Sequence, residues 1–320
     1  MCDESKFTKG ILHSMKVIVT SPSFSNNKLL QTELHRFFPS AKLNTSGLRL
    51  KGNELIAYIH DAEAIIVGLE TIDEALIEQL PKLKYIAKYG VGLNNIDLEA
   101  CKKRNIAIGW TGGVNRLSVA EMTLGYMLIL ARNLYVTSNE LKQGVWNKSG
   151  GFQLSGKTVG IVGIGHIGKE LIRLLQPFEC KILVNDIISQ NDYYKENNLI
   201  EVSKEELYAQ SDIISLHVPL DEHTHNMIDQ KALQAMKSTA YLLNSARGGI
   251  INENALKWAL KNNIIAGAAI DTYTQEPPTD TDLLSLPNLI CTPHIGGNAK
   301  EAIEAMGMSA IHHLREYYNL

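Results

Sequence analysis

Short apolar runs rich in β-branched residues alternate with stretches of helical spacing along nearly the whole chain. Lys16–Thr20 (KVIVT), Ala64–Val67, Tyr85–Ala87 and Ile106–Ile108 read as strands. Lys28–Phe37, Glu54–Ile59, Ile72–Leu80 and Leu98–Lys103 read as helices between them. Such alternation predicts a parallel sheet with helices on its faces. The rhythm restarts at Lys157–Val162 (KTVGIV) and continues through Lys181–Val184, Ile213–His217, Ala240–Leu243 and Ile265–Ile270. Two α/β units follow, over residues 15–110 and roughly 150–292. Lys300–Tyr318 reads as one amphipathic helix, and residues 1–14, polar and aperiodic, as an N-terminal extension.

Between the units lies Val119–Leu134 (VAEMTLGYMLILARNL), whose apolar residues are not confined to one stripe. A helix that is apolar nearly all round must be covered nearly all round. It is expected to be buried both inside the chain and in a subunit interface, which predicts a homodimer through the helix around 119–134.

Composition narrows the classes. With 31 basic and 34 acidic residues the net charge is −3, so no global positive field draws in nucleic acid or an anionic membrane. No apolar run approaches the ~18 residues of a membrane span. The opening MCDESKFTKG has no apolar core and does not read as a signal peptide. Cysteines at 2, 101, 180 and 291 form no CxxC pair and no disulfide framework, which points to a reducing, cytoplasmic setting.

The strongest local signal is TVGIVGIGHIG (158–168), with Gly163, Gly165 and Gly168 in GxGxxG spacing between a strand and a helix. Gly163 permits a tight turn, Gly165 lets backbone approach a pyrophosphate, and Gly168 lets the helix pack closely. With His166 and Ile167 they open a helix whose N-terminus favours an anion. Asp186 ends the next strand 18 residues past Gly168, close to the usual ~20. A carboxylate there accepts from ribose hydroxyls and repels a 2′-phosphate, so the expected cofactor is NAD rather than NADP.

Three ionisable residues follow successive strands: Arg247 in NSARGG, Glu276 in DTYTQEPP and His294 in TPHIGG. Ligands of open parallel sheets bind beyond the carboxyl ends of strands, so the three can converge. Arg offers a planar fork to a carboxylate or carbonyl oxygen. His can deliver a proton, and a neighbouring carboxylate favours its charged form. Together with a hydride carrier they describe reduction of a 2-keto acid. DEHTH (221–225) and His312-His313 lack ligand-spaced partners, so no metal is expected.

The motifs KYGVGLNNID (88–97), TGGVNRLSVAE (111–121), GIGHIG, LHVPL (216–220), NSARGG, AAIDTYTQEPP (268–278) and TPHIGG resemble, in order and spacing, the D-isomer-specific 2-hydroxyacid dehydrogenase family. The resemblance implies an NAD-dependent enzyme in which Arg247 holds the substrate, His294 donates the proton and Glu276 tunes the histidine. It puts the backbone amides of Tyr89, Gly90, Val91 and Gly92 around the substrate carboxylate. His217, Pro219 and Thr224 fall on the adenine side, and Ser245, Ala246, Asp271 and Gly297 near the nicotinamide. The implied fold class is α/β, with two doubly wound parallel-sheet domains, the second a Rossmann NAD-binding domain, and the active site in the cleft between them. A discontinuous substrate-binding domain would take 15–112 and 296–320, and the NAD-binding domain 113–295.

Several positions depart from the family pattern. Gly112 replaces a usual Pro, Asn94 a common Asp, Arg116 a small residue, and Glu179 stands where Gly is frequent. No catalytic group is lost. Lys88, where similar phosphoglycerate dehydrogenases tend to carry a basic residue, and Arg116, at the domain boundary, are candidates for a second anionic group on the substrate. Two rivals remain. Formate dehydrogenases carry Gln where Glu276 stands. A non-enzymatic NAD-sensing, corepressor-like protein would bind the cofactor without turnover.

Overall fold

Residues 15–320 are described by a computed structural model. The chain divides into two compact units, one formed by residues up to Asn115 together with Lys300–Leu320, the other by Arg116–Ala299.

In the first unit, β1 (Val17–Val19), β2 (Ala64–Val67), β3 (Tyr85–Lys88) and β4 (Ala107–Gly109) lie side by side in that order, all parallel. Lys42 bridges to Ile18 on the other side of β1, so the winding reverses there. The period of two sorts side chains between layers. Val17, Val19, Ile66 and Ala87 face helix Lys28–Phe37 and the C-terminal helix Lys300–Tyr317 through Leu30, Leu34, Met306 and Leu314. Ile18, Ile65, Val67 and Ile86 face Leu55, Ile59, Leu76 and Ile77. The helix expected over Ile72–Leu80 is shorter, Glu74–Glu78. Asp73 caps it by accepting from the Leu76 amide at 2.9 Å, while Ile72 pairs with Ile96 instead.

The second unit carries seven parallel strands: β5 (Thr158–Val162), β6 (Lys181–Asn185), β7 (Ile200–Glu201), β8 (Ile213–Leu216), β9 (Tyr241–Asn244), β10 (Gly267–Ile270) and β11 (Leu289–Cys291). Their order is β7-β6-β5-β8-β9-β10-β11. The order reverses between β5 and β8, the doubly wound dinucleotide-binding arrangement. The exposed pair Ile200-Glu201 has no apolar run to announce it.

Alternation again builds two layers. Val159, Ile161, Leu243 and Ala269 face helix Arg116–Ala131 through Ala120, Tyr126, Met127 and Leu130. Val162, Ile214, Leu216, Leu242 and Ile270 face the opposite layer with Leu233, Leu256 and Leu260. Helix Arg116–Ala131 is thus a core helix of its own unit. Just after it Leu134, Tyr135, Leu141, Val145 and Trp146 are exposed. Among the described residues no helix is long and apolar enough to cross a membrane.

Gly307 seats the C-terminal helix on the first unit, because a Cβ there would lie 2.3 Å from Leu30 Cδ1. Leu30 is fully buried and has little room to yield. Gly307→Val should therefore destabilise the protein by ~1–3 kcal/mol, the usual cost of overpacking. Urea unfolding checks this, and an unchanged midpoint would refute the packing argument.

Candidate active site

The glycine turn sits where the sheet order reverses. Gly163, directly after β5, has φ +95°, and a Cβ there would lie 2.6 Å from the carbonyl oxygen of His217, directly after β8. A Cβ at Gly168 would lie 2.2 Å from the Gly163 oxygen. Both glycines are required by close backbone approach. Gly165 differs, since a Cβ there would meet nothing within 4 Å. It caps helix His166–Leu175 without a side-chain hydrogen bond, leaving room beside the first helical amides, where an anion is favoured. His166 is exposed and Ile167 half-buried on the same first turn. Asp186 follows β6, and its two oxygens accept from the Ile164 and Ile188 amides. The carboxylate therefore stands against the glycine turn, and Ile187 and Ile188 beside it are exposed. These features fit a dinucleotide.

His217 donates or accepts through Nε2 with Ser215 at 2.9 Å, and its buried Nδ1 has no hydrogen-bond partner. Burial pushes this imidazole down to about 4. Beyond it, the Thr224 hydroxyl donates to the Pro219 carbonyl at 2.7 Å, and Asp221 accepts from the His223 and Thr224 amides. The DEHTH segment is thus a closed polar turn. Among the described residues no cluster of His, Cys, Asp and Glu is placed to hold a metal.

Arg247 is positioned by Asn244, the last residue of β9. Asn244 Nδ2 donates to the Arg247 carbonyl at 2.8 Å and Oδ1 accepts from the Ala246 amide at 3.0 Å. The Arg247 guanidinium donates to the Ala246 carbonyl at 2.7 Å. Burial lowers its proton affinity from the ordinary value, and the Glu276 charge works the other way. Ser245 is buried with its hydroxyl 3.0 Å from that of Thr123.

Glu276 and His294 are brought together directly. His294 Nδ1 lies 3.0 and 2.9 Å from the two carboxylate oxygens, and Glu276 also accepts from the Tyr273 amide at 3.2 Å. Both side chains remain accessible, at 42% and 39%. The loop that carries His294 hangs on Asp271, a fully buried acid one residue past β10. Asp271 Oδ1 accepts from the Thr292 hydroxyl and, at 2.9 Å, from the Ile295 amide; Oδ2 accepts from the Gly296 amide at 2.8 Å. Ser118 ties the same loop from helix Arg116–Ala131 by donating to the Gly296 carbonyl at 2.6 Å. Gly297 is half-buried in the turn closed by the Asn298 amide on the Ile295 carbonyl at 2.8 Å.

In the first unit Tyr89–Gly92 follows β3. Tyr89 is buried edge-on against Phe24, with its hydroxyl 3.2 Å from Ser23, and the Val91 carbonyl accepts from the Trp110 indole at 2.8 Å. Lys88 is buried, its ammonium donating to the Gly68 carbonyl and, at 2.7 Å, to Asn95 Oδ1. Arg116, half-exposed in the second unit, meets Glu170 at 3.2 Å, and Glu170 also takes Arg173 at 2.6 Å.

Sequence reasoning missed Asn244 and Ser118. An Asn at a strand end two residues before a functional loop is a turn-former whose side chain bonds backbone nearby, and that signal was available. Ser118 carries no comparable mark, because its partner loop is remote in sequence.

Comparison with known proteins places this geometry. Residues 124–296 match the family description "D-isomer specific 2-hydroxyacid dehydrogenase, NAD binding domain". The chain is 38% identical over 262 residues to a D-3-phosphoglycerate dehydrogenase of Methanocaldococcus jannaschii, covering 81% of this chain but 50% of that protein's length. It is 37% identical to a glyoxylate reductase of Thermococcus litoralis, covering 79% of each. A crystal structure of D-lactate dehydrogenase from Aquifex aeolicus, complexed with NAD and lactic acid, superposes with a TM-score of 0.82 at 27% identity, covering 95% of both chains.

Two outcomes are expected from these contacts. Asp271→Ala should leave the Thr292 hydroxyl and the Ile295 and Gly296 amides without their acceptor, so those two amides should exchange hydrogen faster while β5 and β8 stay protected. Equal protection in both proteins would rule out Asp271 as the anchor of the loop. His217 binds a proton less readily folded than unfolded, so its penalty is absent above about 6.5, its unfolded value, and grows as pH falls towards about 4. Between pH 7.5 and 4.5, His217→Asn should lose stability less steeply than the unaltered protein; matching slopes in urea titrations would sink this assignment.

Proposed function

The chain belongs to the D-isomer specific 2-hydroxyacid dehydrogenase family, and from that premise we propose that it interconverts a small 2-keto acid and its 2-hydroxy acid with NAD. The carrying observation is the His294–Glu276 pair, two contacts of 2.9 and 3.0 Å on one ring nitrogen, held by the loop anchored on Asp271. NAD, when bound, supplies or takes up the hydride at substrate C2. Gly165 and the amides that open helix His166–Leu175 would hold its pyrophosphate, on a turn that Gly163 and Gly168 make possible by close backbone approach. The Asp186 carboxylate suits ribose hydroxyls and disfavours an added phosphate.

With Nδ1 committed to Glu276, His294 has Nε2 left for proton transfer. In reduction it protonates the C2 oxygen as that atom gains charge, and in oxidation it removes the same proton. Glu276 acts through the histidine as a positioning residue, orienting the ring through its Nδ1. Arg247, with its carbonyl and neighbouring amide fixed by Asn244, presents a fork that holds the substrate and draws charge towards the keto oxygen. The Tyr89–Gly92 amides offer donors to the substrate carboxylate. Glyoxylate and 3-phosphohydroxypyruvate head the substrate candidates, by analogy with the glyoxylate reductase and the phosphoglycerate dehydrogenase.

We further propose a cytoplasmic homodimer joined through the region around 119–134. The apolar Leu134, Tyr135, Leu141, Val145 and Trp146 exposed just beyond it support a partner surface. The unpaired thiols of Cys101, Cys180 and Cys291 suit a reducing compartment.

The test is NADH oxidation at neutral pH with glyoxylate, hydroxypyruvate, 3-phosphohydroxypyruvate, pyruvate and 2-oxoglutarate. A clear preference is expected, and His294→Ala should lower turnover by roughly 10²–10⁴ with NADH binding retained. Negligible rates throughout with NADH still bound would favour the non-enzymatic reading. Near-normal turnover of the variant would remove His294 from the proton step.

A further inference from the structure

Lysine is almost never buried unless its ammonium is satisfied, because removing the charge from water is costly. Lys88 is 3% exposed. Its ammonium donates to the Gly68 carbonyl and to Asn95 Oδ1. Asn95 Nδ2 in turn donates to the same Gly68 carbonyl at 3.2 Å and to the Glu70 carbonyl at 2.6 Å. Residues 88 and 95 bracket the Tyr89–Gly92 turn, so both ends of that segment close on one carbonyl oxygen.

The far side of the clamp is itself fixed. The buried Glu70 carboxylate accepts from the Gly68 amide and from the Thr20 hydroxyl, each at 2.8 Å. The lysine stem also shapes the turn. Gly90 has φ +140°, and a Cβ there would lie 3.2 Å from Lys88 Cε. A neutral side chain could fill this slot by volume. A cation at the root of a turn that receives an anion contributes attraction as well as geometry.

We propose that Lys88 is a positioning residue for the substrate carboxylate: its ammonium clamps the Tyr89–Gly92 turn to the Gly68–Glu70 loop and sets a fixed positive charge at the base of the turn. This rests on the 2-keto acid reading above. It departs from a role in which Lys88 reads a second anionic group, since a clamp serves every 2-keto acid alike.

The experiment is steady-state kinetics of Lys88→Met, close in volume and neutral, with glyoxylate, hydroxypyruvate and 3-phosphohydroxypyruvate. NADH affinity is followed separately by fluorescence. KM should rise ~10-fold for all three substrates in similar proportion, with kcat and NADH affinity little changed, the signature of lost substrate binding rather than lost chemistry. Asn95→Ala keeps the charge and loosens the clamp, so a smaller rise, again shared by all three, is expected. A loss confined to 3-phosphohydroxypyruvate would overturn the proposal in favour of a second-anion reader. Unchanged KM values in Lys88→Met, or in Asn95→Ala should Lys88→Met fail to fold, would also overturn it. If the unaltered protein reduces no member of the panel, the 2-keto acid reading itself fails; an active protein with insensitive variants rejects Lys88 alone.

Discussion

A carboxylate sealed away from water must be met by donors, and Asp271 meets that demand with the loop that carries His294. Its oxygens take the Thr292 hydroxyl and the Ile295 and Gly296 amides, flanking the histidine on both sides. The demand is strict, because an unsatisfied buried charge costs far more than a hydrogen bond returns. The loop is thereby held by the physics of the core rather than by contacts of the histidine itself. Glu276 then needs only one further backbone anchor, the Tyr273 amide, to meet the ring.

The first unit uses the same device at another strand end. Glu70 is buried three residues past β2 and takes a backbone amide and a threonine hydroxyl, as Asp271 does. The loop it fixes supplies the carbonyl on which Lys88 and Asn95 converge. In both units a buried acid converts the end of a parallel strand into a rigid platform. Loops at such ends have no ladder to complete their backbone bonds, so side chains must do so. Polar burial here buys shape rather than stability.

This division explains what could be read from the sequence. Strands and helices were legible because buried parallel strands are continuous apolar runs and the helices between them keep their own period. Helix Leu98–Lys103 falls where its spacing put it, and helix Ile72–Leu80 lost its first residues to a cap and a bridge that periodicity does not register. The glycine turn and Asp186 were legible because each position answers a steric or charge requirement local to one βαβ unit. The His294–Glu276 pair could be suspected from residue type after successive strands, but not its geometry. The anchoring by Asp271, Ser118 and Glu70 was not legible, since Asp271 and Ser118 bond a loop far along the chain and Glu70 reaches back to Thr20. The burial of Lys88 was hidden for a related reason, because a lysine at a strand end reads first as a surface charge.

Backbone strain marks the same place. Among the described residues, Asn105, Asn133, Asn198, Asn226, Asn263 and Asn319 have positive φ, and asparagine tolerates that region well. The other two are Glu179, at φ +54°, and His294, at φ +53°. Glu179 closes a short turn by bonding its amide to the Gln176 carbonyl, a local arrangement. The His294 amide also bonds locally, to the Thr292 carbonyl at 3.1 Å, but more than that turn holds it. A histidine keeps an unfavourable backbone only where its surroundings over-determine it. Here the ring is gripped by two carboxylate oxygens while Asp271 holds the residues on either side. Relaxing φ would break one set of contacts to preserve the other, so ring and backbone lock each other in the orientation that turns Nδ1 to Glu276.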